Sequence, residues 1–240
     1  MPFSGFCRRP APDDEANESV LIDGNELAGD SPFFALGVVD VSPDHHLLAF
    51  STDYDGNESF TLRFKDLDTR EVLSDSVTGT YYGSAWGTDN ATFFYTTIDE
   101  AHRPYRLWRH RLGTPSSDDE LVYEETDERF FLGVELTRSE GFVVVDLSSK
   151  VTTEVRILDA AHPDAELQVF EPRRQGVEYS IDHQGDRFLV LHNDGALNFE
   201  LALLPRVVRA TMQTTAMRAR RSAYSTRAAP RSVLPKRARR

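Results

Sequence analysis

The feature that most constrains this chain is a repeat of turns and strands. A polar turn at Pro43-Asp44 leads into LLAFSTD, and one at Thr88-Asp89-Asn90 into TFFYTTID. Arg138-Ser139-Glu140-Gly141 precedes FVVVDLSS, and Gln184-Gly185-Asp186 precedes RFLVLHND. The turns recur every 45 to 50 residues or so, a period that belongs to arrays of supersecondary units. After each first strand, a second polar turn precedes an alternating run: FTLRFKDL (60–67), YRLWRHRL (105–112), TEVRILDA (153–160) and NFELALLP (198–205). Alternation at period two marks half-buried strands.

The first three units continue into a further short run: EVLSDSVTG (71–79), DELVYEETD (119–127) and ELQVFEPRRQG (166–176). Each then passes through an aromatic-containing segment, TYYGSAWG, RFFLGVEL or VEYSIDHQ, into the next unit. Four short antiparallel strands per unit of this length is the spacing of β-propeller blades. Residues 19–30, SVLIDGNELAGD, repeat the pattern of EVLSDSVTG and read as the end of a preceding unit, so the hairpin over 47–66 reads as the first half of a blade. A β-sandwich also uses short strands and frequent turns, but it does not require the same turn and strand order at a fixed period. No long helical pattern interrupts the array, which argues against an α/β sheet. The expected fold is all-β: a partial, unclosed β-propeller over 19–205, after an N-terminal segment (1–18) and before a basic tail (206–240).

Composition supports a folded chain, since 240 residues with 40% apolar side chains can bury a sizeable core. Cys7 is the single cysteine, which rules out an intrachain disulfide and favours a reducing compartment. The longest apolar stretches, such as FFALGVV, fall far short of the ~20 residues a membrane helix needs, and residues 1–15 lack the apolar core of a signal peptide. A soluble cytoplasmic protein without a membrane partner is expected.

Charge is distributed unevenly. Residues 206–240 contain ten Arg, one Lys and no acidic residue, which leaves 16 basic against 39 acidic residues in positions 1–205. An acidic domain with a basic tail is ordinarily read as binding nucleic acid or anionic lipid. A frameshift is the competing reading. Codons for Asp, Glu, Ala, Gly and Val begin with G, and each one preceded by C becomes an Arg codon when read one base early. The tail is expected to be disordered or out of frame, and nucleic-acid binding through it is the least favoured function. The acidity of positions 1–205, where Lys65 and Lys150 are the only lysines, also suits a saline cytoplasm.

Particular residues add to the pattern. CRRP (7–10), VLIDGNELA (20–28), VSPDHHLLAFSTD (41–53), GTYYGSAW (79–86), FFYTTIDEAHRPYRLWRHRLGT (93–114), DELVYEETDERFFLGV (119–134) and FLVLHNDGALNFELA (188–202) closely resemble the oligopeptidase B (protease II) branch of the prolyl oligopeptidase family. The resemblance runs in order from about residue 6 to about residue 203. It implies a seven-bladed propeller capping an α/β-hydrolase domain whose Ser, Asp and His cut short peptides after basic residues. The propeller acts there as a sieve for peptide size. This chain would hold about half of such a ring, with short basic peptides as the family's substrates.

No catalytic, cofactor or metal site is expected within these residues. A nucleophile elbow requires Gly-x-Ser-x-Gly on a strand-to-helix turn, and the sequence contains none. Ser84 in GSAWG and Ser31 in GDSPF read as turn residues. DYDGNES (53–59) resembles the start of a calcium loop, but its twelfth position is Phe64 where a bidentate Glu belongs. An Asp-Gly hairpin explains it better, and NDG (193–195) repeats that turn. His102 and His110 read as flanking a strand and His45-His46 as a turn, without companion carboxylates at ligand spacing. The favoured function is therefore the propeller part of a serine peptidase, inactive without a separate catalytic domain. A non-enzymatic binding module is the alternative, and open blade edges would allow self-association.

Overall fold

The computed structural model describes residue 3, residues 5–9 and residues 17–205. The disordered or out-of-frame tail expected at 206–240 lies outside the described residues. Strands β1 (Gly5–Arg8) and β2 (Ser19–Asp23) form a two-stranded antiparallel sheet. A short helix α1 (Gly24–Ala28) follows, and the Asp23 carboxylate caps it by accepting from the Asn25 and Glu26 amides. Residues 19–30, read from the sequence as the end of a preceding unit, are strand as far as Asp23 and helix over Gly24–Ala28.

A continuous seven-stranded antiparallel sheet comes next. It comprises β3 (Ala35–Val41), β4 (Leu47–Asp53), β5 (Phe60–Asp66), β6 (Val72–Trp86), β7 (Thr92–Ile98), β8 (Pro104–Arg111) and β9 (Glu120–Glu124). The strand β6 serves two blades, because its first half pairs with β5 and its second half with β7. Between the halves the chain turns a corner at Gly79 and Gly83, whose φ values are 76° and 89°. Such backbone is costly for any residue with a Cβ. At Gly83 a Cβ would also stand 3.2 Å from the Val134 carbonyl of the next sheet.

That next sheet orders β10 (Phe131–Leu136), β11 (Phe142–Ser148), β12 (Thr153–Asp159) and β13 (Gln168–Glu171). The last contains β14 (Tyr179–Gln184), β15 (Arg187–His192) and β16 (Glu200–Pro205). The described chain thus builds three four-stranded blades and three strands of a fourth, a curled and open partial propeller. Because β3 precedes the 47–66 hairpin, that hairpin forms the middle pair of its blade and not the first half.

The repeat holds at the level of single turns. His45, Asn90 and Glu140 occupy the same left-handed position before β4, β7 and β11, with φ of 63°, 56° and 55°, and Gly185 takes it before β15 at 63°. One residue earlier, the Asp44 and Asp89 carboxylates and the Ser139 hydroxyl each accept an amide from the turn that follows.

Stacked sheets bury one another's alternating faces. Ala49, Leu62 and Phe64 of the first blade pack on Trp86 and Phe93 of the second. Ala85, Phe94 and Leu107 pack on Leu132, Val134 and Val145 of the third. Phe188 of the fourth lies 4.9 Å from Phe142 and 5.1 Å from Phe170 of the third, ring to ring. On the far side of the first blade, Leu21 and Ile22 of β2 cover Leu48 and Phe50. Each fully buried Phe or Leu contributes ~1.5–3 kcal/mol, so the blade interfaces dominate stability. No helix among the described residues is long and apolar enough to cross a membrane.

Candidate functional site

The residues singled out by sequence are scattered over the blades. Ser84 lies in β6 and not in a turn, and its Oγ donates to Asp40 Oδ2 at 3.0 Å. Ser31 donates to the Phe33 carbonyl at 2.6 Å. The Asp53 carboxylate accepts from the amides of Asp55, Gly56 and Glu58, which ties the 54–59 turn to its own strand end. Asn193 receives the Glu178 amide at 2.8 Å, and Asp194 pairs with Arg174 at 2.9 Å. His46 meets Asp68 at the surface, while His45 and His102 hold left-handed turn positions. Cys7 is exposed.

His110 departs furthest from expectation. It lies within β8, fully buried, and it has companion carboxylates: Nδ1 faces Asp119 at 2.7 Å and Nε2 faces Asp75 at 3.3 Å. The ring stacks on Phe64 at 5.5 Å, and the Tyr95 hydroxyl donates to Asp119 at 2.8 Å. Burial first, and then Asp119, raise the Tyr95 phenol well above its ordinary value. These contacts lock the 112–119 turn and β7 of the second blade to β6 of the first. Among the described residues no group of three His, Cys, Asp or Glu side chains is placed to hold a metal.

Sequence reasoning also missed a serine and histidine pair. Ser139 Oγ lies 2.7 Å from Nδ1 of buried His183, within the reach that nucleophilic catalysis requires. The within-chain repeat explains the serine differently. Ser139 stands where Asp44 and Asp89 stand in the preceding blades, and its hydroxyl accepts the Gly141 amide as their carboxylates accept theirs. The His183 ring packs against Phe142 and Phe188, each 4.9 Å away. The pair ties the third blade to the fourth.

What the fold does assemble is a pair of unlike rims. One rim holds the β6 corner at 79–83 and the turns at 54–59, 99–103, 125–130, 149–152, 172–178 and 193–199. Tyr54, Tyr82, Val151, Leu197 and Phe199 are exposed in these turns, and Phe33 and Phe131 are exposed at adjoining strand starts. The turns of the opposite rim carry no exposed large apolar side chain among the described residues, and the exposed apolar residues beside it are Val72, Leu121 and Val169 at the strand starts. There a groove lined by Arg109, Arg111, Thr114, Asp118 and Asp164 has its guanidiniums already facing carboxylates: Arg109 meets Glu120, and Arg111 lies 3.8 Å from Asp164.

The apolar rim is stiffened from beneath by arginines. Arg103, 7% exposed, bonds Asp99 at 2.9 Å and donates to the Glu125 and Phe130 carbonyls at 3.2 and 3.0 Å. Arg173 lies 3.9 Å over the Phe130 ring and pairs with Glu154 at 3.2 Å and with Glu125. Polar links of this kind fix the positions of the tips between blades.

The first strands of successive sheets converge on the inner edge, where carboxylates gather. Burial pushes Asp40 on β3 up to about 6, against the opposing pull of the Ser84 hydroxyl. Glu135 on β10 is raised by burial, then by Asp146 and Asp182, and burial also raises Asp146. Carboxylates crowded and desolvated in this way project a negative field that favours cationic groups.

Four-stranded antiparallel blades stacked about an inner edge define the protein as a β-propeller. The family model described as "Prolyl oligopeptidase, N-terminal beta-propeller domain" matches residues 3–224, and the chain belongs to that family. The matched span passes residue 203, where the resemblance read from the sequence ends. Protease 2 of Moraxella lacunata is 42% identical over 193 residues, which are 80% of this chain and 28% of that protein. Dipeptidyl aminopeptidase BI of Pseudoxanthomonas mexicana is 41% identical over 194 residues, 80% of this chain and 27% of its own length. Oligopeptidase B from Leishmania major superposes with a TM-score of 0.78 at 33% identity, covering 85% of this chain and 30% of that structure. The chain therefore spans less than a third of the relatives it matches.

Proposed function

We propose that this chain is the access-controlling propeller part of an oligopeptidase B-like serine peptidase, and that it cleaves no peptide without a separate α/β-hydrolase part. The observation that carries this reading is the unequal treatment of the two rims. Apolar tips from all four blades gather on one rim, which suits it to seat a broad partner surface. The acidic inner edge behind that rim suits passage of short basic peptides, the substrate class that the family resemblance implies.

A docking measurement tests the reading. The hydrolase part of an oligopeptidase B relative, produced separately, is titrated with this chain by calorimetry. Phe131→Asp and Tyr82→Asp on the apolar rim should each weaken binding at least tenfold, while Arg70→Asp on the opposite rim should leave it unchanged. Equal effects from both rims, or no binding by the unaltered chain, would remove the docking role.

A further inference from the structure

We propose that the inner edge makes the stacking of the blades respond to ionic strength, so that the array is loose in dilute buffer and tightens as salt rises. Stacking brings together carboxylates that belong to different blades. They are Asp40 on β3 of the first, Glu135 on β10, Glu140 before β11 and Asp146 on β11 of the third, and Asp182 on β14 of the fourth. The groups that hold them are neutral. Asp40 accepts from the Ser84 hydroxyl at 3.0 Å, Asp146 from the Ser148 hydroxyl, and Asp182 from the amides of Arg138 and His183 at 3.0 and 2.8 Å. Among the described residues no Lys, Arg or His side chain forms an ion pair with any of these five carboxylates.

The rims are built differently. On the apolar rim the charges that meet between blades are opposite in sign: Arg173 pairs with Glu125 and Glu154, and Arg174 with Asp194 at 2.9 Å. On the other rim Arg109 and Arg111 of the second blade face Asp164 of the third at 4.0 and 3.8 Å. At the inner edge the charges that meet are alike. After burial, Glu140 of the third blade helps to raise the Asp40 carboxyl of the first, and Asp146 and then Asp182 of the fourth blade help to raise Glu135. Composition gives no relief, since positions 1–205 carry 39 acidic against 16 basic residues. Self-repulsion of this kind works against the compact state.

Screening sets the range of salt over which the edge acts. The Debye length is ~10 Å at ~0.1 M salt, so carboxylates of neighbouring blades repel there, and ~3 Å at ~1 M, where the repulsion is largely gone. The opposite-charge pairs of the rims do not cancel this gain, because exposed pairs contribute little and buried ones are screened little. Diffuse screening needs no bound ion, so KCl and NaCl act alike. The effect belongs to the blades themselves and does not depend on a hydrolase partner.

Thermal unfolding of the full chain at neutral pH, followed by near-UV circular dichroism from ~0.1 to ~1 M KCl, tests this. The melting temperature should rise by at least ~4 °C, and by the same amount in NaCl. The double variant Asp40→Asn with Glu135→Gln should melt higher than the unaltered chain at low salt and should lose at least half of the rise. Each single variant should lose part of it. Both changes are isosteric, and unchanged far-UV circular dichroism checks that each variant folds. A melting temperature that stays flat or falls with salt would overturn the proposal. So would a full rise in the single and double variants, which would assign the salt effect to apolar burial. A rise in one salt only would overturn it as well, because it would require a bound ion.

Discussion

Replacing Asp40 with Asn should stabilise the fold at neutral pH and do nothing at acid pH. Asp40 lies on β3 at the inner edge, and burial raises its carboxyl from an ordinary 3.8 to about 6. A rise of about two pH units, at ~1.4 kcal/mol each, bounds the cost of ionising it in the folded state at ~3 kcal/mol. Residual solvent access reduces this to about 1–2 kcal/mol. The sign follows from proton binding. Between about pH 4 and pH 6 the folded state holds a proton that the unfolded state has lost, so stability falls as pH rises through that window. Above it the cost is present in full. Asn cannot ionise, yet its Oδ1 can still accept from Ser84 Oγ, and the Asp40 carbonyl that receives Trp86 Nε1 at 3.2 Å is untouched. Urea unfolding at pH 7.5 should show the variant more stable by about 1–2 kcal/mol, and at pH 4 the two proteins should coincide. A difference that is the same at both pH values, or a loss at pH 7.5, would refute the assignment of a buried, reluctantly ionised carboxyl.

Arg103→Met should lower unfolding free energy by about 3–5 kcal/mol, because it strands the Asp99 carboxylate and two buried carbonyls. Denaturant melts would show it, and a loss below about 1 kcal/mol would mean that the guanidinium is dispensable. Gly83→Ala should cost about 1–3 kcal/mol through its left-handed backbone and the crowding of Val134. An unchanged melting temperature would contradict the tight corner in β6.

The strands were legible in the sequence because each blade repeats the same alternation. LLAFSTD, TFFYTTID and FVVVDLSS correspond to Leu47–Asp53, Thr92–Ile98 and Phe142–Ser148 within one residue. Two kinds of feature were not. Helix α1 is only five residues long, too short for a helical period to register, and its signal is the cap at Asp23. His110 looked unpartnered because Asp75 lies 35 residues away and meets it only when two blades stack. Its parity held a clue, since it alternates onto the same side of β8 as Trp108, a residue packed against the inter-blade core. The apolar rim was invisible for a similar reason. Tyr54, Tyr82 and Phe131 sit in unrelated local contexts, and only the alternation of strand direction brings them to one side.

Under the proposed function these blades position and admit peptides without cutting them, and one assay tests that most directly. The purified chain is incubated with a short Arg-containing fluorogenic peptide, with and without a serine-reactive inhibitor. Neither Ser84, bound to Asp40, nor Ser139, serving as a turn cap, combines an activated nucleophile with oxyanion donors, so no cleavage above background is expected. Turnover by the pure chain that the inhibitor abolishes would contradict the claim and would point first to Ser139 beside His183.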